Sequence, residues 1–426
     1  MTVREIAPTR SPVSGTVRVP GSKSITNRAL VLGALAGGVT LVEGALFSDD
    51  TALMAGALRV LGVPVDAEAA GQRFTVRGQD GRIPATEAAI DAGNAGTVAR
   101  FLTALAALGS GRYVIDGSPR MRERPIGDLV DALRLLGADL DAPSGCPPVV
   151  VRGRGLAGGR APVRGDVSSQ FLSALLLVAP LARSRVDLMV ERRLVGAPYV
   201  EMTLRMMETF GVAVRRGNGA FRVAPQRYHP RTYAVEPDAS SASYFFAAAA
   251  ITGGRVAVPG LVRESLQGDL AFLDVMAQMG CEVRWSEAGV TVRGPERLRG
   301  VDVDLNGMSD MTMTLAAMAP FSEGPVRIRN VAHIRGQESD RLAALAAELR
   351  RIGQEVREFE DGLEIHPRPV RAAVVQTYDD HRIAMALAVT GLRAEGLAVG
   401  DPECVAKTFP DFFVRLGRLA SPAPGE

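Results

Sequence analysis

The chain has 426 residues, of which 47% are hydrophobic, and this length favours two domains that each bury a sizeable core. Its formal charge of +2 and aromatic fraction of 5% argue against a general nucleic-acid-binding protein, which needs a basic excess and rings that stack on bases. Cys146, Cys281 and Cys404 follow no metal or disulfide spacing, and no apolar run is long enough to cross a membrane, so we expect a cytoplasmic protein.

The first predicted helix begins within Pro20–Arg28, PGSKSITNR, where Ser22 and Ser24 are favourable caps and an apolar run follows. The free backbone N–H groups of this start would point at whatever lies before Ser24. Lys23 and Arg28 stand beside these donors with hydroxyl groups and no acid, a pattern typical of an anion site. By itself, the pattern also fits a simple capped helix.

Two patterns recur along the chain about every 70 residues. In the first, an amphipathic helix ends at a glycine and a strand follows; the glycines are Gly62, Gly137, Gly211, Gly280, Gly353 and Gly417. In the second, a helix that is apolar on nearly every side recurs, with starts at Ser24, Gly96, Ser169, Ser241, Asp310 and His381. Such helices are buried, so we expect their polar starts to emerge together at one end of each domain.

These six units divide naturally into three and three, because prolines and polar residues interrupt the pattern at Pro225–Asp238. The sequence therefore predicts an α/β protein of two similar domains, each with three βαβαββ-type repeats around buried helices. We expect the helix starts of the two domains to face each other across a cleft. Six helix N-termini would give this cleft a positive potential suited to a small anionic ligand.

Later helix starts carry side chains that could handle anions or protons. Ser168, Ser169 and Gln170 open the third buried helix with two hydroxyls and an amide, which suits phosphate oxygens as well as a plain N-cap. Asp310 is predicted to cap the fifth buried helix, where it could also accept a proton from a substrate hydroxyl. Arg382 opens the sixth buried helix after Asp379 and Asp380, which we interpret as caps that also fix His381 or Arg382.

Glu338 and Arg341 are three positions apart, a spacing that predicts one helix face. They could form a surface ion pair, or a general acid or base beside an arginine that binds a carboxylate in bidentate fashion. Lysine usage is a further signal, since only Lys23 and Lys407 occur among 49 basic residues. Both lie in hydroxyl-bearing loops, where a compact ammonium is not replaceable by a guanidinium; chance survival is the alternative.

Taken together, these motifs resemble those of the 5-enolpyruvylshikimate-3-phosphate synthase family, the enolpyruvyl transferases of the shikimate pathway. The segments that carry the resemblance are PGSKSITNRAL, GNAGTVAR, PRMRERPIG, SSQFLSALL, ESDRL, DDHRIAM and CVAKTFPDFF, in the family's order over nearly the whole chain. The resemblance implies the enolpyruvyl transferase fold. One domain would span residues 20–231, and the other residues 1–19 with 232–426, with crossovers near residues 20 and 231.

The resemblance also implies a function, with site residues carried over position by position. The protein would be a cytoplasmic monomer of aromatic amino acid biosynthesis and a glyphosate target, with no metal or organic cofactor and no nucleic-acid or membrane partner. Shikimate 3-phosphate would contact Lys23, Ser24, Arg28, Ser168, Ser169, Gln170, Asp310, His333 and Gln337. Phosphoenolpyruvate would contact Lys23, Gly96, Arg124, Gln170, Arg341, Arg382 and Lys407.

The implied reaction needs an acid and a base. Glu338 or Lys23 would protonate the methylene carbon of phosphoenolpyruvate, and Asp310 or Glu338 would take the proton of the 5-hydroxyl of shikimate 3-phosphate. Addition gives a tetrahedral intermediate, and loss of phosphate yields the enolpyruvyl product.

The chain departs from familiar family members at four positions. Gly196, His333 and Gln337 stand where those members have serine, asparagine and lysine, and Phe101 stands in place of a proline near Gly96, which leaves the glyphosate response open. The first three changes leave, as an alternative, a related transferase acting on another phosphorylated cyclitol. A non-catalytic anion- or RNA-binding repeat protein is a further alternative, against which stand the near-neutral charge, the few aromatic residues and the presence of Glu338 and Asp310. The sister UDP-N-acetylglucosamine enolpyruvyl transferases resemble the chain less, since they have asparagine after the first-motif lysine.

Overall fold

The computed structural model describes residues 2–217 and 219–421, which form twelve α-helices and twenty-three strands. The helices are α1 (Lys23–Leu35), α2 (Asp49–Val60), α3 (Gly96–Ala106), α4 (Gly127–Leu135), α5 (Ser169–Val178), α6 (Ala197–Thr209), α7 (Ala239–Thr252), α8 (Phe272–Gln278), α9 (Thr312–Met318), α10 (Arg341–Arg351), α11 (His381–Gly391) and α12 (Phe412–Ala420). None of these helices is long and apolar enough to span a membrane.

The strands are β1 (Val3–Glu5), β2 (Ser14–Thr16), β3 (Gly37–Glu43), β4 (Val65–Glu68), β5 (Arg73–Gln79), β6 (Glu87–Asp91), β7 (Arg112–Asp116), β8 (Asp139–Asp141), β9 (Val149–Arg152), β10 (Gly159–Arg164), β11 (Val186–Glu191), β12 (Arg215–Gly217), β13 (Ala220–Val223), β14 (Thr232–Ala234), β15 (Arg255–Pro259), β16 (Glu282–Ser286), β17 (Gly289–Arg293), β18 (Val301–Asp304), β19 (Val326–Arg329), β20 (Glu355–Phe359), β21 (Gly362–His366), β22 (Ala373–Val375) and β23 (Leu397–Gly400).

The chain divides into two compact units. One, which we call the continuous unit, spans Gly21–Val235; the other, the split unit, combines the residues before Gly21 with those from Glu236 onward. The second boundary lies slightly beyond the predicted residue 231, because β14 pairs in parallel with β3 and so belongs to the continuous unit.

Each unit repeats one supersecondary pattern. In the second repeat, β6 and β7 pair in parallel around α3, and β9 then pairs antiparallel with β7 and β8, so the order is βαβαββ. The same pattern builds the sheets β10-β11-β13-β12 and β18-β19-β21-β20. In the first and fourth repeats, the leading strand comes from elsewhere in the chain, β14 for one sheet and β2 for the other. The sixth sheet has three strands, β1-β23-β22. The predicted fold class is confirmed.

Six helices that lack an exposed face form the interior of the two units. They are α1, α3 and α5 in the continuous unit and α7, α9 and α11 in the split unit, and every residue of α3, α9 and α11 is buried. These are the helices that the sequence predicts to be buried from their apolar composition.

The glycine pattern is confirmed in five of its six copies. Gly62, Gly137, Gly211, Gly280 and Gly353 have φ between +86° and +102°, the left-handed conformation that ends a helix and favours glycine. Gly417 differs, because it lies inside α12 and does not end a helix.

Several helix starts differ from their predicted positions. α1 follows Ser22 rather than Ser24, and α7 follows Asp238, whose side chain accepts a hydrogen bond from the Ser241 amide. The prediction that Asp310 caps the fifth buried helix is wrong. Asp310 lies in a 3₁₀ turn, Asn306–Met311, and Met311 precedes α9.

Candidate active site

In the continuous unit, the starts of three buried helices come together. Asn27 Nδ2 on α1 donates to Thr97 Oγ1 on α3 at 2.9 Å. The start of α5 lies equally near α3, since a Cβ atom built on Gly96 would stand 3.0 Å from Gln170 Oε1. The free N–H groups of these helices therefore gather on one side of the unit, as the repeat pattern predicts.

Lys23, the first residue of α1, has an acidic partner. Its Nζ lies 3.1 Å from Asp50 Oδ2, and the Asp50 side chain is only 2% exposed. The expectation that this helix start has no acid is therefore wrong, because α2 brings its own first turn beside α1. The sequence shows Asp50 only as a first-turn acid of α2, which is a common helix feature.

Arg28 is buried, and its hydrogen-bond partners are neutral. Nε donates to Thr203 Oγ1 at 2.8 Å, while Nη1 and Nη2 donate to the carbonyl oxygens of Ser24 and Tyr199 at 3.0 and 3.1 Å. The guanidinium carbon lies 5.3 Å from the centre of the Phe101 ring. Burial lowers the pKa of Arg28 to about 10, because no carboxylate among these contacts offsets the desolvation.

Gly96 is the first residue of α3 and lies close to two guanidinium groups. A Cβ atom built on Gly96 would lie 2.7 Å from Arg124 Nη2 and 2.9 Å from Arg100 Nη1. Arg124 is 3% exposed and donates through Nη1 to the Asn94 carbonyl at 2.8 Å and to Asn94 Oδ1 at 3.1 Å. The structure thus brings together three of the predicted phosphoenolpyruvate residues, Gly96, Arg124 and Gln170.

The start of α5 presents the predicted hydroxyls. Ser168 caps this helix, since its Oγ accepts a hydrogen bond from the backbone N–H of Gln170 at 3.2 Å. Ser169 is the first helical residue. Gly196 lies beside them, with a φ of +57° and an ideal Cβ position 3.1 Å from Ser169 Oγ. Both the backbone conformation and the neighbouring Ser169 disfavour a larger residue at this position.

In the split unit, three further helix starts come together. Ser243 Oγ on α7 and Thr314 Oγ1 on α9 are 2.9 Å apart. Arg382 on α11 donates through Nη2 to Asp310 Oδ2 at 2.8 Å and to Ser240 Oγ, on α7, at 3.4 Å. Ser240 Oγ in turn donates to the carboxylate of buried Asp269, and burial, reinforced by Asp310, raises the pKa of Asp269 to about 7.

Arg341 is the centre of this cluster in the split unit. It is 1% exposed, and its guanidinium contacts Asp380 Oδ2 at 2.8 Å, Glu338 Oε2 at 3.0 Å and Asp310 Oδ1 at 3.1 Å. Burial by itself lowers the pKa of Arg341, but the carboxylates, with Asp380 foremost, outweigh burial and raise it above its ordinary value. Arg341 is therefore a fixed cation at any physiological pH.

The contact between Glu338 and Arg341 has another origin than predicted. α10 begins at Arg341 and Asp340 is its cap, so Glu338 precedes the helix and shares no helix face with Arg341. The positive potential expected at the helix starts is also offset here, because Asp310, Glu338 and Asp380 accompany the arginines.

His333 and Gln337 adjoin the same cluster. His333 Nε2 lies 2.9 Å from Ser309 Oγ, and burial lowers the pKa of His333 to about 4, so the ring is neutral at pH 7. Gln337 Oε1 accepts a hydrogen bond from Arg341 Nη1. Neither residue supplies the cation that lysine brings to familiar family members.

Asp380 acts as predicted, and Asp379 does not. Asp380 caps α11 by accepting from the Arg382 amide at 3.0 Å, and it also binds Arg341. Asp379 precedes it with a φ of +54°. Burial raises the pKa of Asp379, and the charge of Lys407, at the end of the 3₁₀ turn Pro402–Lys407, offsets part of that rise.

The structure therefore assembles the predicted residues within each unit. In the split unit, Arg341 contacts Asp310, Gln337 and Glu338, and Arg382 contacts the same Asp310. His333 contacts Ser309, the neighbour of Asp310 in the chain. Sequence reasoning missed Asp50, Asn94 and Asp269. Each of them contacts a residue that is distant in the sequence, so no local motif indicates the pair. Within the described residues, no three His, Cys, Asp or Glu side chains are arranged to hold a metal ion.

Comparisons with known proteins agree on one family. The model of the family described as EPSP synthase (3-phosphoshikimate 1-carboxyvinyltransferase) matches residues 8–416. A relative of that name from Trichormus variabilis is 50% identical over 412 residues, which cover 96% of this chain and 97% of the relative. The chloroplastic relative from Solanum lycopersicum is 47% identical over 96% of this chain and 83% of its own length.

A solved structure supports the same conclusion. EPSP synthase from Acinetobacter baumannii superposes with a TM-score of 0.81 at 26% identity, over 98% of both chains. The sequence match, the six-repeat fold and the arginine-rich helix starts agree. The chain belongs to the EPSP synthase family of enzymes, the 3-phosphoshikimate 1-carboxyvinyltransferases.

Proposed function

We propose that this chain transfers the enolpyruvyl group of phosphoenolpyruvate to the 5-hydroxyl of shikimate 3-phosphate and releases phosphate, a step of aromatic amino acid biosynthesis through the shikimate pathway. One observation carries the assignment of roles. Two guanidinium groups, those of Arg341 and Arg382, converge on a single carboxylate, Asp310. Glu338, a second proton-transfer candidate, lies against Arg341.

Arg341 and Arg382 are suited to hold the anionic groups of phosphoenolpyruvate. A planar guanidinium donates two parallel hydrogen bonds to a carboxylate or a phosphate. Both oxygens of Asp310 accept from these arginines in the structure, at 3.1 and 2.8 Å. Phosphoenolpyruvate would take over part of these donors, and the Asp310 oxygens would then be available to the substrate hydroxyl.

The residues of the continuous unit would complete the binding of both substrates. Arg124, Gln170 and the backbone of Gly96 would contact phosphoenolpyruvate, together with Lys23. Ser168 and Ser169 would bind the phosphate of shikimate 3-phosphate with the N–H groups at the start of α5. Arg28 and Ser24 would bind its carboxylate, because a buried guanidinium with neutral partners gains most from an incoming negative charge.

The reaction then requires two proton movements. Glu338 or Lys23 donates a proton to the methylene carbon of phosphoenolpyruvate, which makes the neighbouring carbon electrophilic. The 5-hydroxyl oxygen attacks that carbon as its proton passes to Asp310 or Glu338. The tetrahedral adduct loses phosphate, the proton added to the methylene carbon is removed again, and the enol ether double bond re-forms.

The test is phosphate release from purified protein given both substrates, with either substrate alone as the blank. Asp310→Asn and Glu338→Gln should each lower kcat by about a hundredfold or more, since positioned acid–base groups contribute about 10²–10⁴-fold. Asp302→Asn is the matched control, because Asp302 also pairs with an arginine, Arg329, but is 56% exposed on β18. If wild-type protein released no phosphate from the two substrates, the proposed function would be wrong.

The same assay separates the alternatives. A transferase for another phosphorylated cyclitol would release phosphate only with that acceptor, and a non-catalytic binding protein would release none. His333 and Gln337 weaken the cationic side of the site, but the 50% identity to named relatives supports the shikimate substrate. We also propose a cytoplasmic monomer that contacts neither nucleic acid nor membrane, which size-exclusion chromatography with light scattering would test for the oligomeric state.

A further inference from the structure

A buried acid outside the cluster of Arg341 supports the loop that precedes α11. The Glu348 side chain, on α10, is fully buried. Its Oε2 accepts a hydrogen bond from the backbone N–H of Gln376 at 2.9 Å, and its Oε1 accepts one from the Tyr378 hydroxyl at 2.7 Å. Arg351 Nε also donates to Oε2, at 2.8 Å. A buried carboxylate with its partners so placed fixes the backbone of residues 376–378.

That loop holds a strained conformation. Tyr378 and Asp379 have φ values of +56° and +54°, two successive non-glycine residues in the left-handed region. This conformation is unfavourable for residues other than glycine and persists only where surrounding contacts enforce it. The contacts of Glu348 with Gln376 and Tyr378 are enforcing contacts of this kind, since they lie directly before and within the turn.

The strained turn leads directly into the arginine cluster. Asp380 follows it, caps α11 and accepts from the Arg382 amide at 3.0 Å. The same carboxylate holds Arg341 Nε at 2.8 Å. The turn is therefore connected through Asp380 to the guanidinium of Arg341 and to the backbone of Arg382 at the start of α11.

We propose that Glu348 and Tyr378 are positioning residues, which hold the turn at Tyr378–Asp379 and through Asp380 set the guanidinium groups that bind phosphoenolpyruvate. This inference rests on the proposed function, because it takes these cations as the phosphoenolpyruvate contacts. Tyr378 itself is 45% exposed, so its ring contributes little to the core. Its role in holding the turn is thus separable from overall stability.

Tyr378→Phe tests the proposal, because it removes only the hydroxyl. We expect KM for phosphoenolpyruvate to rise roughly fivefold, the effect of one net hydrogen bond, while KM for shikimate 3-phosphate stays constant. The thermal midpoint of unfolding should stay within a few degrees of wild type. Tyr113→Phe is the matched control, since its hydroxyl donates to the Ala85 carbonyl at 2.7 Å in the continuous unit and should leave both KM values unchanged.

A second variant, Glu348→Gln, keeps the shape of the acid and removes its charge. Like Tyr378→Phe, it should raise KM for phosphoenolpyruvate. An active wild type together with an unchanged KM for phosphoenolpyruvate in Tyr378→Phe would overturn the positioning role alone. The positioning role would also be wrong if the unfolding midpoint of Tyr378→Phe fell and both KM values rose equally, because a residue that only stabilises the fold would give that result. An inactive wild type would instead overturn the proposed function.

Discussion

Replacing Gly96 by alanine should weaken phosphoenolpyruvate binding without unfolding the protein. The added Cβ would lie 2.7 Å from Arg124 Nη2 and 2.9 Å from Arg100 Nη1, distances that real Cβ atoms essentially never show. Neither arginine moves freely, because Arg124 Nη1 is held by the Asn94 carbonyl and Arg100 Nη2 by the Pro125 carbonyl, both at 2.8 Å. The guanidinium of Arg124 must therefore shift from the position in which it can meet a ligand.

The change in folding free energy is the balance of two opposing effects. Overpacking costs roughly 1–3 kcal/mol of folding free energy, and alanine in a helix recovers about 0.5–1 kcal/mol. The net loss of stability is thus at most about 2.5 kcal/mol. A misplaced guanidinium loses a hydrogen bond to a charged group, about 1.5–3 kcal/mol, which raises KM for phosphoenolpyruvate by roughly tenfold to a hundredfold.

The assay is phosphate release at saturating shikimate 3-phosphate, with urea unfolding of the same preparations. Gly56→Ala is the matched control, because Gly56 lies inside α2 and its added Cβ would meet no atom within 4 Å. That variant should gain about 0.5–1 kcal/mol of stability and keep the wild-type KM. A folded Gly96→Ala protein with an unchanged KM for phosphoenolpyruvate would refute the reasoning.

Three further predictions concern the split unit. Arg341→Lys should lower kcat/KM by about a hundredfold or more, because one ammonium cannot reproduce the contacts with Asp310, Glu338 and Asp380; steady-state kinetics near wild type would contradict this. Asp269 has a folded pKa of about 7 against an ordinary 3.8, so its own contribution to stability should fall as pH rises from about 4 to about 7, and the difference in urea unfolding between wild type and Asp269→Asn should show this fall. His333 has a folded pKa of about 4 against 6.5, so it makes stability rise between about pH 4 and pH 6.5. His333→Asn should abolish that rise, and an unaltered pH profile would show that burial of the ring has no such effect.

The sequence predicts features whose cause is local. Gly62 and the other helix-ending glycines adopt positive φ because the next strand must turn away at that residue, and this need is visible in the sequence. Gly417 carries the same local pattern but lies within α12, where packing of Phe412 and Leu416 continues the helix past it. Local pattern alone does not distinguish these two outcomes.

Site features that depend on distant partners could not be predicted. Lys23 meets Asp50 only because α1 and α2 pack together, and Glu348 reaches Tyr378 only because α10 lies beside the loop before α11. The helix-start role predicted for Asp310 failed for another reason. Met308 has non-helical angles, φ −140° and ψ 46°, so a 3₁₀ turn with its own kink replaces the expected first turn of helix.

The pairing of the first two strands has a consequence for synthesis of the chain on the ribosome. β2 pairs with β15 and β1 with β23, so both strands emerge long before their neighbours are made. Residues 21–235 contain every strand of their own three sheets and can fold while translation continues. The N-terminal strands must meanwhile stay unpaired, and a nascent chain that stalls before residue 397 keeps β1 without the neighbour that shields it from aggregation.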